Sequence, residues 1–339
     1  MTSGRVTLAT VAEALGVSTM TVSNAYNRPE KLSAELRERI LAKAEELGYA
    51  GPDALARSLR RGRTGVLGVV LGEALTYAFE DPATVEFFRG LASAGIALQL
   101  VPATGADDDA ALVLDAAVDA FVLYALPDGH PLVEAVLRRR LPVVVQSAPR
   151  LEGHPFVAID ERAAAAAAAD HLRALGHSRL AVLSLPFSLS DRADRPLRAE
   201  PPAHGVPRGR LEGYGVSVGR EVQSNDRAHG AVAAGALLDA ADPPTGLLCM
   251  SDELAIGALE AARARGLDVP RELSVVGWDD TPEARRADPP LTTIRQSLRD
   301  QGRRCAELAA SGASGALAEP QPWELVVRES TASFSPPVR

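Results

Sequence analysis

The segment that decides the fold is Thr7-Leu-Ala-Thr-Val-Ala-Glu-Ala-Leu-Gly-Val-Ser-Thr-Met-Thr-Val-Ser-Asn-Ala-Tyr-Asn27. Val11 and Ala12 belong to an apolar pattern with helical spacing, which predicts one buried helix face. Gly16 follows, and a glycine can end a helix in the left-handed conformation at little energetic cost. Ser18 then offers a side-chain oxygen to the free N–H groups of a second helix. The segment therefore predicts two short helices joined by a tight turn.

A third helix is predicted immediately afterwards. Ser33 can cap it, Gly48 can end it, and its apolar face would consist of Leu36, Ile40, Ala44 and Leu47. An ordinary pair of packed helices is the alternative for the first two helices alone. The third helix instead favours a compact helix-turn-helix unit over residues 1–50 that binds DNA. An arginine-rich segment of helical composition, residues 51–64, begins with a Gly-Pro pair that separates it from the third helix.

We call residues 1–50 the headpiece and residues 51–64 the hinge. Together they resemble the DNA-binding region of the lactose-repressor (LacI/GalR) family of bacterial transcription regulators. The matching motifs are Thr7-Leu8, Val11-Ala12, Gly16-Val17-Ser18, Thr21-Val22-Ser23, Asn27, Leu47-Gly48-Tyr49 and Ala56-Arg57-Ser58-Leu59. The resemblance implies a recognition helix in the major groove of each half of a pseudo-palindromic operator. It also implies a hinge helix in the minor groove, where Leu59 would wedge between base pairs.

The same resemblance assigns the DNA contacts residue by residue. The base-reading positions are Thr19, Met20 and Asn24. The expected phosphate contacts, which fix register without reading sequence, are Thr7, Ser18, Thr21, Ser23 and Asn27. The expected minor-groove hinge residues are Ala56, Arg57, Leu59 and Arg60.

The charge of the chain is segregated. The net charge of −8 over 339 residues would argue against binding to nucleic acid. Residues 1–64, however, carry ten Lys/Arg against seven Asp/Glu, so the headpiece and hinge are basic and the remainder is acidic. The two cysteines show no metal-ligand spacing, so neither a disulfide framework nor a metal or other cofactor is expected. No export signal or membrane span is apparent, which favours a cytoplasmic location.

The body, residues 65–330, alternates short apolar runs with helical stretches, as parallel βαβ units do. Strands are predicted at 66–71, 96–101, 120–124, 142–145, 156–159, 180–185, 246–250, 273–277 and 323–328. Residues 186–209 are rich in Pro, Arg, Asp and Ser and predict a mobile loop. Residues 331–339 are predicted to be a tail.

The body resembles the family's effector domain, a two-lobed α/β fold of the type I periplasmic-binding-protein class. The matching motifs are His171-Leu172, Leu175-Gly176-His177, Ser251-Asp252-Glu253, Ser274-Val-Val-Gly-Trp-Asp-Asp280 and Pro290-Leu-Thr-Thr-Ile294. The expected lobe 1 comprises about 65–160 and 292–320, and lobe 2 about 161–291 and 321–330. Ligands of such folds bind in the crevice at the carboxyl ends of strands.

Candidate effector-binding residues follow from strand ends and from this resemblance. Asp252 and Asp279 come just after predicted strands, although turn chemistry alone could explain both. The resemblance adds Arg210 as an arginine pointing into the crevice. Tyr77 and Phe79 could form an aromatic wall or belong to the core, and Asn225 and Gln296 are further polar candidates. A sugar or related polar metabolite is the expected effector, and a nucleobase is the alternative.

Catalysis is not expected. Gly213-Tyr-Gly215-Val-Ser-Val-Gly219 has the wrong spacing for a dinucleotide-binding loop, and no P-loop or nucleophile elbow is present. The motifs and the resemblance therefore predict a homodimeric, DNA-binding transcriptional regulator, a repressor, controlled by a small effector. A solute-binding protein of the same body fold is the alternative, but it would have no use for the headpiece.

Overall fold

The computed structural model describes residues 6–51, 62–104, 106, 108–188 and 191–334. The chain divides into two compact units, Met1–Gly65 and Val66–Arg339. The hinge residues Ala56, Arg57, Leu59 and Arg60 lie outside the described residues, so their assignment stays a prediction.

The headpiece contains the helices expected from the sequence. They are α1 (Leu8–Leu15), α2 (Thr19–Asn27) and α3 (Ala34–Glu46), with a 3₁₀ turn at Pro29–Lys31. Each α-helix begins at a hydroxyl side chain that accepts a backbone N–H; these residues are Thr7, Ser18 and Ser33. Gly16 ends α1 with φ 65°, a left-handed conformation that explains why glycine stands there.

The headpiece core is built from small apolar side chains. The fully buried residues are Val11, Ala12, Val22, Ala25, Ile40 and Ala44. Alanine at these contacts lets the helix backbones approach closely, and Ile40 supplies the largest of the buried volumes. Tyr26 and Tyr49 close one side of this core edge to face, with ring centroids 6.0 Å apart.

The body is an alternating α/β structure. Its strands are β1 (Val66–Leu71), β2 (Ala97–Pro102), β3 (Ala120–Tyr124), β4 (Val143–Gln146), β5 (Phe156–Ala158), β6 (Leu180–Ser184), β7 (Arg195–Pro196), β8 (Gly219–Glu221), β9 (Gly246–Cys249), β10 (Ser274–Asp279), β11 (Thr292–Gln296), β12 (Ala318–Pro320) and β13 (Trp323–Val326). Its helices are α4 (Leu75–Glu80), α5 (Pro82–Ala92), α6 (Asp109–Leu114), α7 (Pro131–Arg138), α8 (Glu161–Ala174), α9 (Gly205–Tyr214), α10 (Arg227–Leu238), α11 (Asp252–Ala264), α12 (Pro282–Arg286) and α13 (Leu298–Ser311). The expected βαβ rhythm is therefore observed.

The strands form two sheets, one in each lobe. Lobe 1 holds the six-stranded parallel sheet β12-β5-β4-β3-β1-β2. Lobe 2 holds the seven-stranded sheet β13-β11-β10-β9-β6-β8-β7, in which β13 and β7 are antiparallel edges. The expected lobe boundary was wrong at one point: residues 292–296 form β11 and pair with β10 in lobe 2. The chain crosses to lobe 1 only after Gln296.

Helices α5 and α13 pack almost backbone to backbone beside the lobe 1 sheet. A Cβ added at Gly90 would lie 2.0 Å from the carbonyl oxygen of Arg299, and one at Gly302 would lie 2.3 Å from that of Phe87. Glycine is therefore required on both helices at this crossing. The contact fixes α13 next to the point where the chain enters lobe 1.

Residues 186–209, expected to be a mobile loop, contain regular structure where they are described. Strand β7 pairs with β8, and α9 begins at Gly205. Arg195 and Arg198 both pair with the fully buried carboxylate of Glu221, with N···O distances of 3.2 and 3.1 Å. The polar composition that suggested a loop thus reflects an ion-pair cluster over the edge of lobe 2. None of the described helices is long and apolar enough to cross a membrane.

Candidate functional site: the interlobe crevice and the headpiece surface

The two sheets face a shared cavity at the carboxyl ends of their strands. The cavity has a volume of about 120 Å³. Tyr124 at the end of β3, Gln146 at the end of β4, Asp279 at the end of β10 and Gln296 at the end of β11 all line it. This is the position at which open α/β sheets bind ligands, because the helices leave a crevice beyond the strand ends. The cavity is therefore the candidate effector site.

Arg210 lies at the centre of the cavity wall and is held rigidly. It is 5% exposed, and its Nε donates to Glu161 Oε2 at 2.7 Å. Its guanidinium carbon lies 4.0 Å from the ring centroid of Trp278, and a second donor reaches the carbonyl oxygen of Met250. The stacking and both hydrogen bonds orient the planar fork before any ligand arrives. The sequence-predicted arginine is thus in the expected place.

Asp279 lines the same cavity in an unusual backbone conformation. Its φ is 103° and that of Asp280 is 53°, a left-handed region that non-glycine residues rarely adopt. Such strain persists where the surrounding structure over-determines it, which is common at ligand sites. Enclosure away from bulk water raises the pKa of Asp279 to about 7, although the Arg210 charge and a hydrogen bond from Gln296 oppose the shift.

Tyr77 and Asn225 also line the cavity, one from each lobe. Burial raises the pKa of the Tyr77 phenol well above its usual value, against the opposing influence of Asn225. The Asn225 side-chain oxygen accepts from the Ser251 hydroxyl, which also caps α11 by accepting from Leu254 N at 3.1 Å. Tyr77 thus lines the cavity beside Asn225, and its role as an aromatic wall for a ligand stays a prediction.

The rest of the lining is acidic. Glu73, Asp81 and Glu161 line the cavity in addition to Asp279. Burial raises the pKa values of Glu73 and Asp81, against the opposing influence of Arg192 on Glu73 and of Thr84 on Asp81. Burial also lowers the pKa of His204 to about 4, so this histidine is neutral near pH 7. The cavity therefore has more carboxyl groups than cationic groups.

Two predicted effector residues do not reach the cavity. Asp252 is 1% exposed, and its two carboxylate oxygens accept from Thr281 N and Thr293 Oγ1, each at 2.7 Å. It joins α11 to the ends of β10 and β11, so its role is structural. Phe79 is 58% exposed and packs against Phe88, with ring centroids 5.6 Å apart, on an outer groove. Both assignments to the effector site were wrong.

Several cavity residues were missed by sequence reasoning. Tyr124 and Gln146 end strands whose positions were predicted, so the strand-end argument applied to Asp279 would also have found them. His204 lies in the segment expected to be a loop and Glu161 at the start of a helix, where the sequence gives no comparable signal. Their places in the cavity depend on contacts between distant parts of the chain.

The headpiece presents the predicted base-reading residues on α2. Thr19 and Met20 are exposed in the first turn, Met20 with 68% of its surface, and Asn24 is half-buried one turn later. An exposed thioether at the start of a helix is a surface that stability alone does not explain. These three positions share the face that a recognition helix would present to a groove.

The predicted phosphate contacts differ among themselves. Thr7, Ser18 and Thr21 lie at helix starts, with Ser18 Oγ 2.8 Å from Thr21 Oγ1. Ser23 is only 7% exposed, and Asn27 Nδ2 donates to both its carbonyl oxygen and its hydroxyl, at 3.0 and 3.2 Å. Ser23 thus packs against Asn27, and its phosphate contact stays a prediction. In the described part of the chain, no group of three His, Cys, Asp or Glu side chains could hold a metal ion.

A helix-turn-helix unit followed by a two-lobed ligand-binding body defines an effector-binding, DNA-binding protein. Residues 7–51 match the bacterial regulatory proteins of the lacI family, and residues 169–331 match a periplasmic binding protein-like domain. The HTH-type transcriptional regulator Rv3575c of Mycobacterium tuberculosis is 42% identical over 325 residues, covering 90% of each chain. The chain therefore belongs to the LacI family of transcriptional regulators.

Two solved structures show the same architecture. The lac repressor dimer bound to operator and the anti-inducer ONPF is 26% identical, with a TM-score of 0.77 over 97% of this chain and 100% of that one. A complex of the transcriptional regulator CelR with cellobiose is 25% identical, with a TM-score of 0.66 over 96% of this chain and 100% of that one. The predictions of family, of fold class and of a regulatory rather than enzymatic function are confirmed.

Proposed function

We propose that this chain is a cytoplasmic, homodimeric repressor whose affinity for a pseudo-palindromic operator is controlled by a sugar bound between the lobes. The observation that carries the effector part is that Arg210 and Asp279 line the same cavity at the strand ends, near enough for the Arg210 charge to lower the pKa of Asp279. A guanidinium fork and a carboxylate can together bind neighbouring hydroxyl groups, one as donor and one as acceptor.

The charge of the cavity favours an uncharged ligand. Carboxyl groups surround Arg210, and Glu161 already accepts one of its donors, so an anionic ligand would meet repulsion from several sides. The phenol of Tyr77 and the amides of Asn225 and Gln296 offer further polar contacts. A polyhydroxylated, neutral molecule matches this mixture of donors and acceptors with an aromatic wall.

The ligand-bound relatives support the same class. The CelR complex contains cellobiose, and the lac repressor complex contains both operator and a small anti-inducer. A ligand can change DNA affinity only if it binds two global states of the protein unequally. In the cavity, Arg210 and Asp279 belong to lobe 2, and Tyr124 and Gln146 belong to lobe 1. Movement of one lobe against the other would supply two such states.

The DNA part of the proposal rests on α2. Thr19, Met20 and Asn24 would read base edges in the major groove, and Thr7, Ser18, Thr21 and Asn27 would contact phosphates. Two copies related by a two-fold axis would read two half-sites. The roles given to Ala56, Arg57, Leu59 and Arg60 in the minor groove remain predictions.

The test combines a selected operator with a sugar panel. Binding-site selection from random DNA with the full chain should return an inverted repeat. Fluorescence anisotropy on that site, with cellobiose, D-ribose, D-glucose and adenosine added in turn, should show a change in operator affinity with one of the sugars. The same sugar should raise the melting temperature, because a ligand that binds only the folded state stabilises it.

Asp279→Ala should abolish the sugar response and retain operator binding, because it removes a charged acceptor from the crevice at a cost of about 1.5–3 kcal/mol in ligand binding. The matched control is Asp288→Ala, which removes an aspartate whose side chain is 92% exposed outside the cavity. A full sugar response in Asp279→Ala would refute the assignment of the site. A response to adenosine alone would refute the sugar and support the nucleobase class.

A further inference from the structure

Three buried glutamine side chains form a hydrogen-bonded chain that ends on Asp279. Gln146 Nε2 donates to Gln301 Oε1 at 2.8 Å, and Gln301 Nε2 donates to Gln296 Oε1 at 3.0 Å. Gln296 Nε2 then donates to Asp279 Oδ1 at 2.8 Å. We call Gln146, Gln301 and Gln296 the amide relay. No sequence motif pointed to it, because its members come from three separate elements.

The amide relay joins the two lobes. Gln146 ends β4 and Gln301 lies on α13, both in lobe 1. Gln296 ends β11 and Asp279 ends β10, both in lobe 2. Gln146 and Gln301 are at most 1% exposed and Gln296 is 9% exposed. Water therefore competes little for these hydrogen bonds, and their geometry depends on the relative position of the lobes.

The relay has a direction that follows from the chemistry of its end. An ionised carboxylate can only accept hydrogen bonds, so Gln296 must turn its NH₂ group toward Asp279. Its oxygen then faces Gln301, which must turn its own NH₂ group toward Gln296. Gln301 in turn presents an oxygen to Gln146. Each amide is thus oriented by its neighbour, and Asp279 decides the orientation of all three.

Gln146 is consequently left with an unused acceptor. Its Nε2 is committed to Gln301, and its Oε1 is buried with no hydrogen-bond partner among the described residues. Gln146 also lines the effector cavity. A buried acceptor without a partner is energetically unfavourable, so a ligand that donates a hydrogen bond there would gain more than it would at a surface.

We propose that the amide relay transmits the charge of Asp279 across the lobe boundary and thereby fixes Gln146 as a hydrogen-bond acceptor for the effector. The inference rests on the proposed function in one respect, the presence of an effector in this cavity. It adds that the effector carries an O–H or N–H donor facing β4. It also makes Gln301, which does not line the cavity, a positioning residue for ligand binding.

A carboxylate swap tests the direction of the relay without any ligand. At about pH 8.5, where Asp279 is ionised, Gln146→Glu places a group that can only accept hydrogen bonds at each end of the relay. Gln301 and Gln296 must then turn their NH₂ groups toward these two ends, so their amide oxygens face each other. We expect the melting temperature of Gln146→Glu to fall by a few degrees. Adding Asp279→Asn lets every amide reverse, so it should raise the melting temperature of Gln146→Glu by more than it raises that of the wild type at the same pH.

Two controls separate this extra gain from simple relief of charge repulsion. Gln146→Glu combined with Asp81→Asn removes another cavity carboxylate that is not part of the relay, and it should give no gain beyond the effect of Asp81→Asn on the wild type. In a Gln301→Met background the relay is interrupted, so Asp279→Asn should no longer give Gln146→Glu a gain beyond the one that it gives without Gln146→Glu. An equal extra gain from Asp81→Asn, or an extra gain from Asp279→Asn that persists with Gln301→Met, would overturn the relay.

A binding measurement tests the acceptor role. Calorimetry with cellobiose, D-ribose and D-glucose should show that Gln146→Met weakens whichever sugar binds the wild type by roughly tenfold, the value of one buried hydrogen bond. Gln301→Met should weaken it by a smaller factor. Unchanged affinity in Gln146→Met would refute the acceptor role. Failure of all three sugars with the wild type would count against the proposed sugar effector, while the melting temperatures still decide the relay.

Discussion

The headpiece and the interlobe crevice differ in how far along the chain their functional residues are spread. The headpiece surface comes from residues 7–27, within two helices whose caps are a few residues from the groups they bind. The crevice assembles residues from Glu73 to Leu298 at the ends of strands in two sheets. Local sequence rules therefore specify the first site almost completely, whereas the second depends on how the whole body folds.

The two regions also differ in the size of the core that supports them. The headpiece depends on six fully buried apolar residues, while several larger clusters stabilise the body. Small cores leave little margin, because the fraction of surface buried on folding increases with chain length. The same mutation should therefore have different consequences in the two regions.

The largest expected effect is from Ile40→Ala. Ile40 is 0% exposed at the centre of the headpiece, and its truncation should destabilise that unit by about 2–5 kcal/mol. We expect loss of operator binding by gel shift, with the sugar-induced rise in melting temperature retained. Leu183→Ala, an equally buried truncation in the body, is the matched comparison and should leave operator binding measurable. Operator affinity unchanged in Ile40→Ala would contradict an independently folding headpiece with so small a core.

The second prediction uses the protonation of the crevice. The folded-state pKa of Asp279 is about 7 against an ordinary value of 3.8, so the folded protein retains a proton that the unfolded chain loses. The stability contributed by this group is fully present below about pH 4 and is lost as the pH rises through about 7. The shift corresponds to about 2–4 kcal/mol once solvent in the open crevice is allowed for.

Asp279→Asn should remove that pH dependence. Its melting temperature relative to the wild type should therefore be higher at about pH 8 than at about pH 4.5, by several degrees. Asp288→Asn, an exposed site, should show no such trend. A constant difference between Asp279→Asn and the wild type across this range would show that the crevice does not perturb Asp279.

The accuracy of the sequence-based predictions follows the same division. The turn at Gly16 and the helix caps at Ser18 and Ser33 can be predicted from the local sequence. Each cap accepts a hydrogen bond from a backbone N–H only three residues away. The burial of Ser23 was not predicted, since it depends on the packing of α2. A predicted strand end pointed to the crevice residue Asp279, whereas Gln296 was named only as a polar candidate, since no strand was predicted at β11.

The same strand-end argument failed at Asp252, whose carboxylate oxygens already accept hydrogen bonds from Thr281 N and Thr293 Oγ1. Phe79 and Tyr77 are two residues apart, yet only Tyr77 faces the cavity, because a short helix turns successive side chains in different directions. Contacts such as Gln146 with Gln301, 155 residues apart, carry no local signal. They could be found only once the sheets and α13 were in place.

The smallest expected effect concerns sequence reading by the headpiece, where a single side chain decides the outcome. Asn24 lies half-buried on the exposed side of α2, one turn after Met20. An asparagine amide matches the N7 acceptor and N6 donor of adenine, whereas an arginine fork matches O6 and N7 of guanine. Asn24→Arg should therefore shift the preferred base toward G at one position of each half-site, with roughly 1–3 kcal/mol of discrimination.

Binding-site selection with both proteins measures this shift, and the effector response of Asn24→Arg should match the wild type because the crevice is untouched. Arg28→Ala, an exposed change just beyond the end of α2, is the control for a general change in charge and should lower affinity without altering the selected bases. Identical selected sites for the wild type and Asn24→Arg would make Asn24 a packing or phosphate residue. Base reading would then have to rest on Thr19 and Met20, the two side chains that the first turn of α2 leaves exposed.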